Sequence, residues 1–194
     1  MRFMLVVSLR QCGVSGSIRR HGILRHPPAD VACVPLGHLA VPQVEGWTDV
    51  LATQLARIET PDRKQRSELV MPALSAGPVE RERWFLFRSD VNNRRREYWV
   101  MQGLGYLHHP LRAATSKKFI SPSLDMLWNI QKTGDTFFPA NWLDASLSGR
   151  QTRAVADTVH AFLTDVPADY PARLRAITLQ SADPLFRAAD IFGK

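Results

Sequence analysis

The sequence has only two cysteines, Cys12 and Cys33, both in its first third. One possible pair is no disulfide framework, so the redox compartment stays open. No apolar run approaches the roughly 18–20 residues that a membrane helix requires. Alternating strand patterns are almost missing. Neither G-x-x-x-x-G-K-[ST] nor G-x-G-x-x-G occurs, so no phosphate-cradling loop is expected. "GVSGS" at 13–17 misses the nucleophile elbow G-x-S-x-G by its last glycine. H-E-x-x-H, the helical zinc-and-base motif, is also absent. The N-terminus "MRFMLVVSLRQCGVSGS" faintly resembles a signal peptide, but Arg10 interrupts it early and no A-x-A-like site follows. We expect a soluble chain with no export signal.

What is present reads as an ordinary globular protein. The chain has 194 residues, 45% hydrophobic and 22% charged, enough for one or two domains and a substantial core. Its net charge of +7 and pI of about 10.0 bring nucleic acid, anionic membrane and acidic substrates into consideration. Nineteen Lys and Arg and fourteen Asp and Glu follow Glu59, so the charges are interspersed as on a solvated helical surface. The one dense run, Arg94-Arg95-Arg96, is followed at once by Glu97.

Two parts of the chain differ. Residues 1–46, including "RRHGILRHPPADVACVPLGHLAVPQVEG", sustain neither helical nor strand periodicity and read as an irregular or disordered extension. From residue 47 a helical pattern begins, with Trp47, Leu51 and Leu55 at i, i+4 and i+8. "TPDRKQRSELV" offers Thr60 as N-cap, Pro61 at the first helical position and Asp62 in the positive first turn. Pro72 is expected to kink or end that helix, and Pro78 to start the next. Val100, Leu104 and Leu107 share one stripe, and Ser121 caps a helix that buries Leu124, Leu127 and Trp128. Val155, Val159, Phe162 and Leu163 recur at i, i+4, i+7 and i+8. A last helix follows Pro171 and runs to Asp183-Pro184. The pattern predicts an all-α fold over 47–194. About seven antiparallel helices of 10–16 residues would form a helical-repeat (HEAT/armadillo-like) superhelical stack.

The adjacent pair His108-His109 is the most conspicuous chemical feature. On a helix, neighbouring side chains point about 100° apart, which makes it awkward for both to bind one metal ion. Zinc takes three or four ligands, and helical histidine pairs sit at i, i+4. Pro110 stops the helix, where a polar or cationic group suits the dipole. The pair therefore reads as a helix C-terminus rather than a metal site. Cys12, His21, His26, Cys33 and His38 are metal-friendly types without a close cysteine pair. His160 reads as a surface or core-edge histidine, and Glu80 and Glu82 as solvated carboxylates. The aromatics Trp84, Phe85, Tyr98, Trp99, Trp128, Phe137, Phe138 and Trp142 read as core rather than as a base-stacking platform.

Four phrases carry a resemblance: "TPDRKQRSELVMPALS", "YWVMQGLGYLHHPLR", "SPSLDMLWNIQKTGDTFFPANWLDASLSG" and "DYPARLRAITLQSADPLFRAA". In order and spacing they resemble the C-terminal helical (HEAT-like) domain of bacterial zinc aminopeptidases of the alanyl-aminopeptidase family, which are gluzincin metallopeptidases. The similarity covers roughly residues 47–190; residues 1–46 do not share it. The resemblance implies a superhelix that closes over a separate thermolysin-like domain and encloses a peptide cavity. In that family the zinc belongs to the thermolysin-like domain, held by H-E-x-x-H and a downstream Glu. This chain has no H-E-x-x-H and no G-x-M-E-N-type substrate motif, so no catalytic or metal-binding residue carries over. "YLHHPLR" looks like a packing and turn element of the helical stack. Were a polar cluster there to face the cavity, His108, His109 and Arg112 would be its peptide-binding residues, with Arg112 offering a forked donor to a carboxylate.

The expected function is thus that of a non-catalytic domain shaping a peptide cavity, its partners a thermolysin-like catalytic domain on another chain and peptide. The chain itself is expected to need no cofactor. The alternative is a helical-repeat scaffold that binds a protein or peptide without any zinc partner. Nucleic-acid binding, resting on pI and Arg94–Arg96, is the weakest reading.

Overall fold

A computed structural model describes residues 47–192. In chain order the helices are α1 (Trp47–Ala56), α2 (Pro61–Leu74), α3 (Pro78–Phe87), α4 (Glu97–Leu107), α5 (Ala113–Ser116), α6 (Ile120–Asp125), α7 (Leu127–Thr133), α8 (Phe138–Leu147), α9 (Arg153–Asp165) and α10 (Ala172–Phe192). Short 3-10 turns at Val91–Arg94, Pro110–Arg112 and Lys117–Phe119 join some of them. There is no strand among the described residues, and the fold is all-α. The extension 1–46 lies outside them.

Apolar stripes pull these helices together. Val100, Leu104 and Leu107 of α4 are fully buried, and α4 packs on α2 and α8. Helix α8 brings in Phe138, Trp142 and Leu143 and packs on α10, while α9 contributes Val155 and Val159 against α6 and α10. One hydrophobic cluster runs from Ala73 through these helices to Ala189, with a satellite of Val70, Leu74 and Tyr106 between α2 and α4. Each such side chain contributes about 1.5–3 kcal/mol when taken fully out of water.

Several local expectations are corrected. Thr60 does precede α2 in extended backbone, but its side chain makes no capping bond. Helix α2 continues two residues past Pro72, and α10 runs straight through Pro184 to Phe192. Both prolines are exposed, and so are Glu68 and Gln180, whose carbonyls lose their i+4 donors. A carbonyl on the solvent face can turn to water, which makes such a proline tolerable. Ser121 is not a cap: it lies inside α6, which begins at Ile120. The expected helix over 121–130 is two short ones, and the chain between 110 and 133 is a string of short helices and 3-10 turns. Tyr98 and Phe137 point to solvent rather than into the core.

One close approach fixes the α3–α4 contact. Trp84 of α3 is buried, and its Nε1 donates to the Leu69 carbonyl at 2.7 Å. Its ring lies so near Gly103 of α4 that a Cβ there would overlap it. Only a glycine at 103 leaves room for the Trp84 ring.

Candidate functional site

Helix α4 ends at Leu107, and the His108 N–H donates to the Leu104 carbonyl at 2.8 Å in the last turn. His109 then turns outward and opens the 3-10 turn, its Nδ1 accepting from the Leu111 N–H at 3.2 Å. The two neighbouring imidazoles face different surroundings. His109 is half-buried, whereas His108 is 2% exposed, its ring edge-on to Phe119 with centroids 6.3 Å apart.

The partner of His108 is an arginine. Arg150 places Nη2 2.7 Å from His108 Nδ1 and 2.8 Å from Ser116 Oγ; its other nitrogens donate to the carbonyls of Ser146 (2.9 Å) and Ala113 (3.2 Å). A guanidinium can only donate, so Nδ1 of His108 accepts and its proton sits on Nε2. That Nε2 is buried with no hydrogen-bond partner among the described residues. Burial, reinforced by the nearby Arg150 charge, lowers the His108 pKa to about 3. The imidazole is therefore neutral at physiological pH. Ser116 does not complete a nucleophilic pair: its hydroxyl donates to the Arg112 carbonyl at 2.8 Å, not to the imidazole.

Arg112 is equally internal. It is 6% exposed, and its Nη1 and Nη2 donate to the carbonyls of Ala73 (2.9 Å) and Leu74 (2.7 Å), the last two residues of α2. The expected peptide-binding trio is thus divided by the fold. His108 and Arg112 face the interior and serve the chain's own polar groups; of the three, His109 alone reaches the surface.

The same device recurs. Arg81 donates to the carbonyls of Ser75 and Ala76 just beyond α2, both at 2.7 Å. Arg94 donates to those of Arg88 (2.9 Å) and Ser89 (3.0 Å) just beyond α3, and also to Asn129 Oδ1. Arg88 donates to the Asn93 carbonyl at 2.6 Å. These are buried guanidiniums at the negative ends of helices, where orphan carbonyls need donors. Burial lowers the pKa of all five, that of Arg112 and of Arg150 to about 10. Each stays charged at neutral pH. Nothing in the pattern of charged letters distinguished these arginines from surface ones.

Their burial changes the meaning of the pI. Residues 47–192 hold nineteen Lys and Arg and sixteen Asp and Glu. With five arginines inside, fourteen cations face those sixteen carboxylates at or near the surface. The helical surface is close to neutral. Arg94, the first of the basic run, is itself one of the buried five.

An open cleft of about 990 Å³ lies where α2, α3 and the turn at 91–96 meet. Leu69, Met71, Pro72, Trp84 and Phe87 give it apolar walls; Arg83, Arg95 and Arg96 stand at its rim against Glu68 and Glu80, with the buried Arg88 beneath. Ser75 donates its hydroxyl to Glu80, and Arg96 lies 3.9 Å from Asp62. Arg95 donates to Asn92 Oδ1 at 2.8 Å, and no acid pairs with it or with Arg83 among the described residues. Sequence reasoning missed this cleft, because α3 carries apolar side chains on both of its faces.

Among the described residues no three His, Cys, Asp or Glu side chains group to hold a metal ion. The N-terminal set Cys12, His21, His26, Cys33 and His38 lies outside them. No described helix is long and apolar enough to cross a membrane. Comparison with protein-family models, with curated proteins and with solved structures returned no match.

Proposed function

We propose that this chain works as the C-terminal helical domain of a zinc aminopeptidase of the alanyl-aminopeptidase type, forming part of the wall of a peptide cavity. The observation that carries the reading is the run of four phrases, in order, across residues 47–190. It is supported by an all-α fold and by the internal role of "YLHHPLR", where His108 and Arg112 tie helix ends together. In this reading the helices form a HEAT-like superhelix. Catalysis belongs to a thermolysin-like zinc domain on another chain, and zinc is that domain's cofactor.

The test mixes the full chain with a bacterial alanyl-aminopeptidase shortened to its thermolysin-like part. Co-elution on size exclusion is expected, with a raised kcat/KM for an alanyl-anilide. The chain alone should neither hydrolyse that substrate nor retain stoichiometric zinc after desalting. Chelator-sensitive turnover by the pure chain would overturn the reading.

The open cleft favours a second reading, a helical scaffold that captures a protein segment with no zinc domain involved. Failure to associate with the thermolysin-like part, alongside retained peptide capture, would select it.

A further inference from the structure

The outer face of α3 is apolar where a solvated helix is polar. Val79, Leu86 and Phe87 are 64%, 58% and 57% exposed, at i, i+7 and i+8, with Arg83 at i+4 between them. Arg83 and Phe87 also line the cleft, so this ridge and the cleft form one continuous surface. Trp84 makes the cleft floor rigid, because its ring is held by Gly103 and its Nε1 by the Leu69 carbonyl. Aromatic and arginine side chains around a fixed apolar hollow are the usual composition of an energetic centre in protein recognition.

We propose that this surface docks an amphipathic helix of a partner protein, one whose apolar stripe is interrupted by a carboxylate. Apolar side chains of that helix fill the cleft against Trp84 and Phe87 and lie along Val79 and Leu86. Its carboxylate meets Arg83 and Arg95, the two exposed cleft cations that no acid pairs with among the described residues. The chemistry selects this occupant over the others. A peptide that binds as an added β-strand has no edge to join, since the described residues contain no strand. A second copy packing α3 against α3 about a two-fold axis would set Arg83, midway between Val79 and Phe87, against its own equivalent, a like-charge contact that costs affinity. The upstream segment "VPLGHLAVPQVEG" offers a single carboxylate, Glu45, two residues before Trp47. The surface would serve whether or not a zinc domain is the chain's partner.

The probe is a synthetic capped helix of about 18 residues, with Leu along one stripe and Glu within it, beside a twin carrying Lys for Glu. Binding to the full chain is read by fluorescence anisotropy. The Glu peptide is expected to bind with a Kd below about 100 µM and at least about tenfold tighter than the Lys twin. Arg83→Glu should reverse that preference, and Phe87→Asp should abolish binding of both. Both positions are exposed, and unchanged helical circular dichroism confirms that the variants fold. Equal binding of the two peptides, no binding of either, or indifference to Arg83→Glu would overturn the proposal. So would a dimer in sedimentation that Phe87→Asp dissociates, since the occupant would then be a second copy.

Discussion

A neutral imidazole sealed against Phe119 and Arg150 makes stability depend on pH. Unfolded, His108 protonates near pH 6.5; folded, it does so only near 3. Between those values the unfolded chain binds the extra proton, so acid favours unfolding. The contribution is fully present above about pH 6.5 and is lost progressively as pH falls toward 3. His108→Gln keeps an acceptor for Arg150 and removes the titration. Urea denaturation at pH 7, 5.5 and 4.5 should show the wild type losing up to about 1.4 kcal/mol per pH unit relative to the variant. Parallel curves would refute the assignment. At Arg112 the two α2 carbonyls lose their donors on truncation, so Arg112→Met should destabilise by about 2–4 kcal/mol. Arg112→Lys should recover only part of this, since an ammonium lacks the planar fork that reaches both oxygens.

At the scale of elements, the contact between Trp84 and Gly103 is the most exacting. Gly103→Ala raises helix propensity in α4 yet forces the indole aside, and about 1–3 kcal/mol of overpacking cost is expected to dominate. Combining it with Trp84→Leu should destabilise less than the sum of the single changes, a coupling measurable by a thermal double-mutant cycle. Additivity would show that the ring has room to move. The helices themselves were legible wherever pattern and breaker agreed. Pro61 and Pro78 begin α2 and α3, and the stripes of α4 and α9 face the core as their spacing predicts. What misled was the proline rule applied without regard to face: Pro72 and Pro184 sit on exposed sides, and the helices pass through them. The buried arginines were illegible for another reason. Their partners are backbone carbonyls, which every residue carries, so the sequence offers no complementary letter to pair them with. For the same reason the trio His108, His109 and Arg112 looked like a cationic cluster available to a ligand.

For the whole molecule, one hydrophobic cluster reaches from Ala73 to Ala189 and binds early helices to the last one. The helices from α2 to α10 should therefore unfold as a single cooperative unit. Leu185 on α10 is 2% exposed, and Leu185→Ala should cost about 2–5 kcal/mol. Tryptophan fluorescence, to which the buried Trp84 and Trp142 contribute, should shift its midpoint by the same amount as circular dichroism. A change confined to one signal would divide the helices into independent parts.

The link from Arg112 back to Ala73 and Leu74 spans 39 and 38 residues of chain. On the ribosome, α2 therefore emerges with its C-terminal end unfinished and waits for a side chain that has yet to be synthesised. A nascent chain halted before residue 112 should expose a frayed end at Leu74 to proteases, and the same bonds should close once translation passes it.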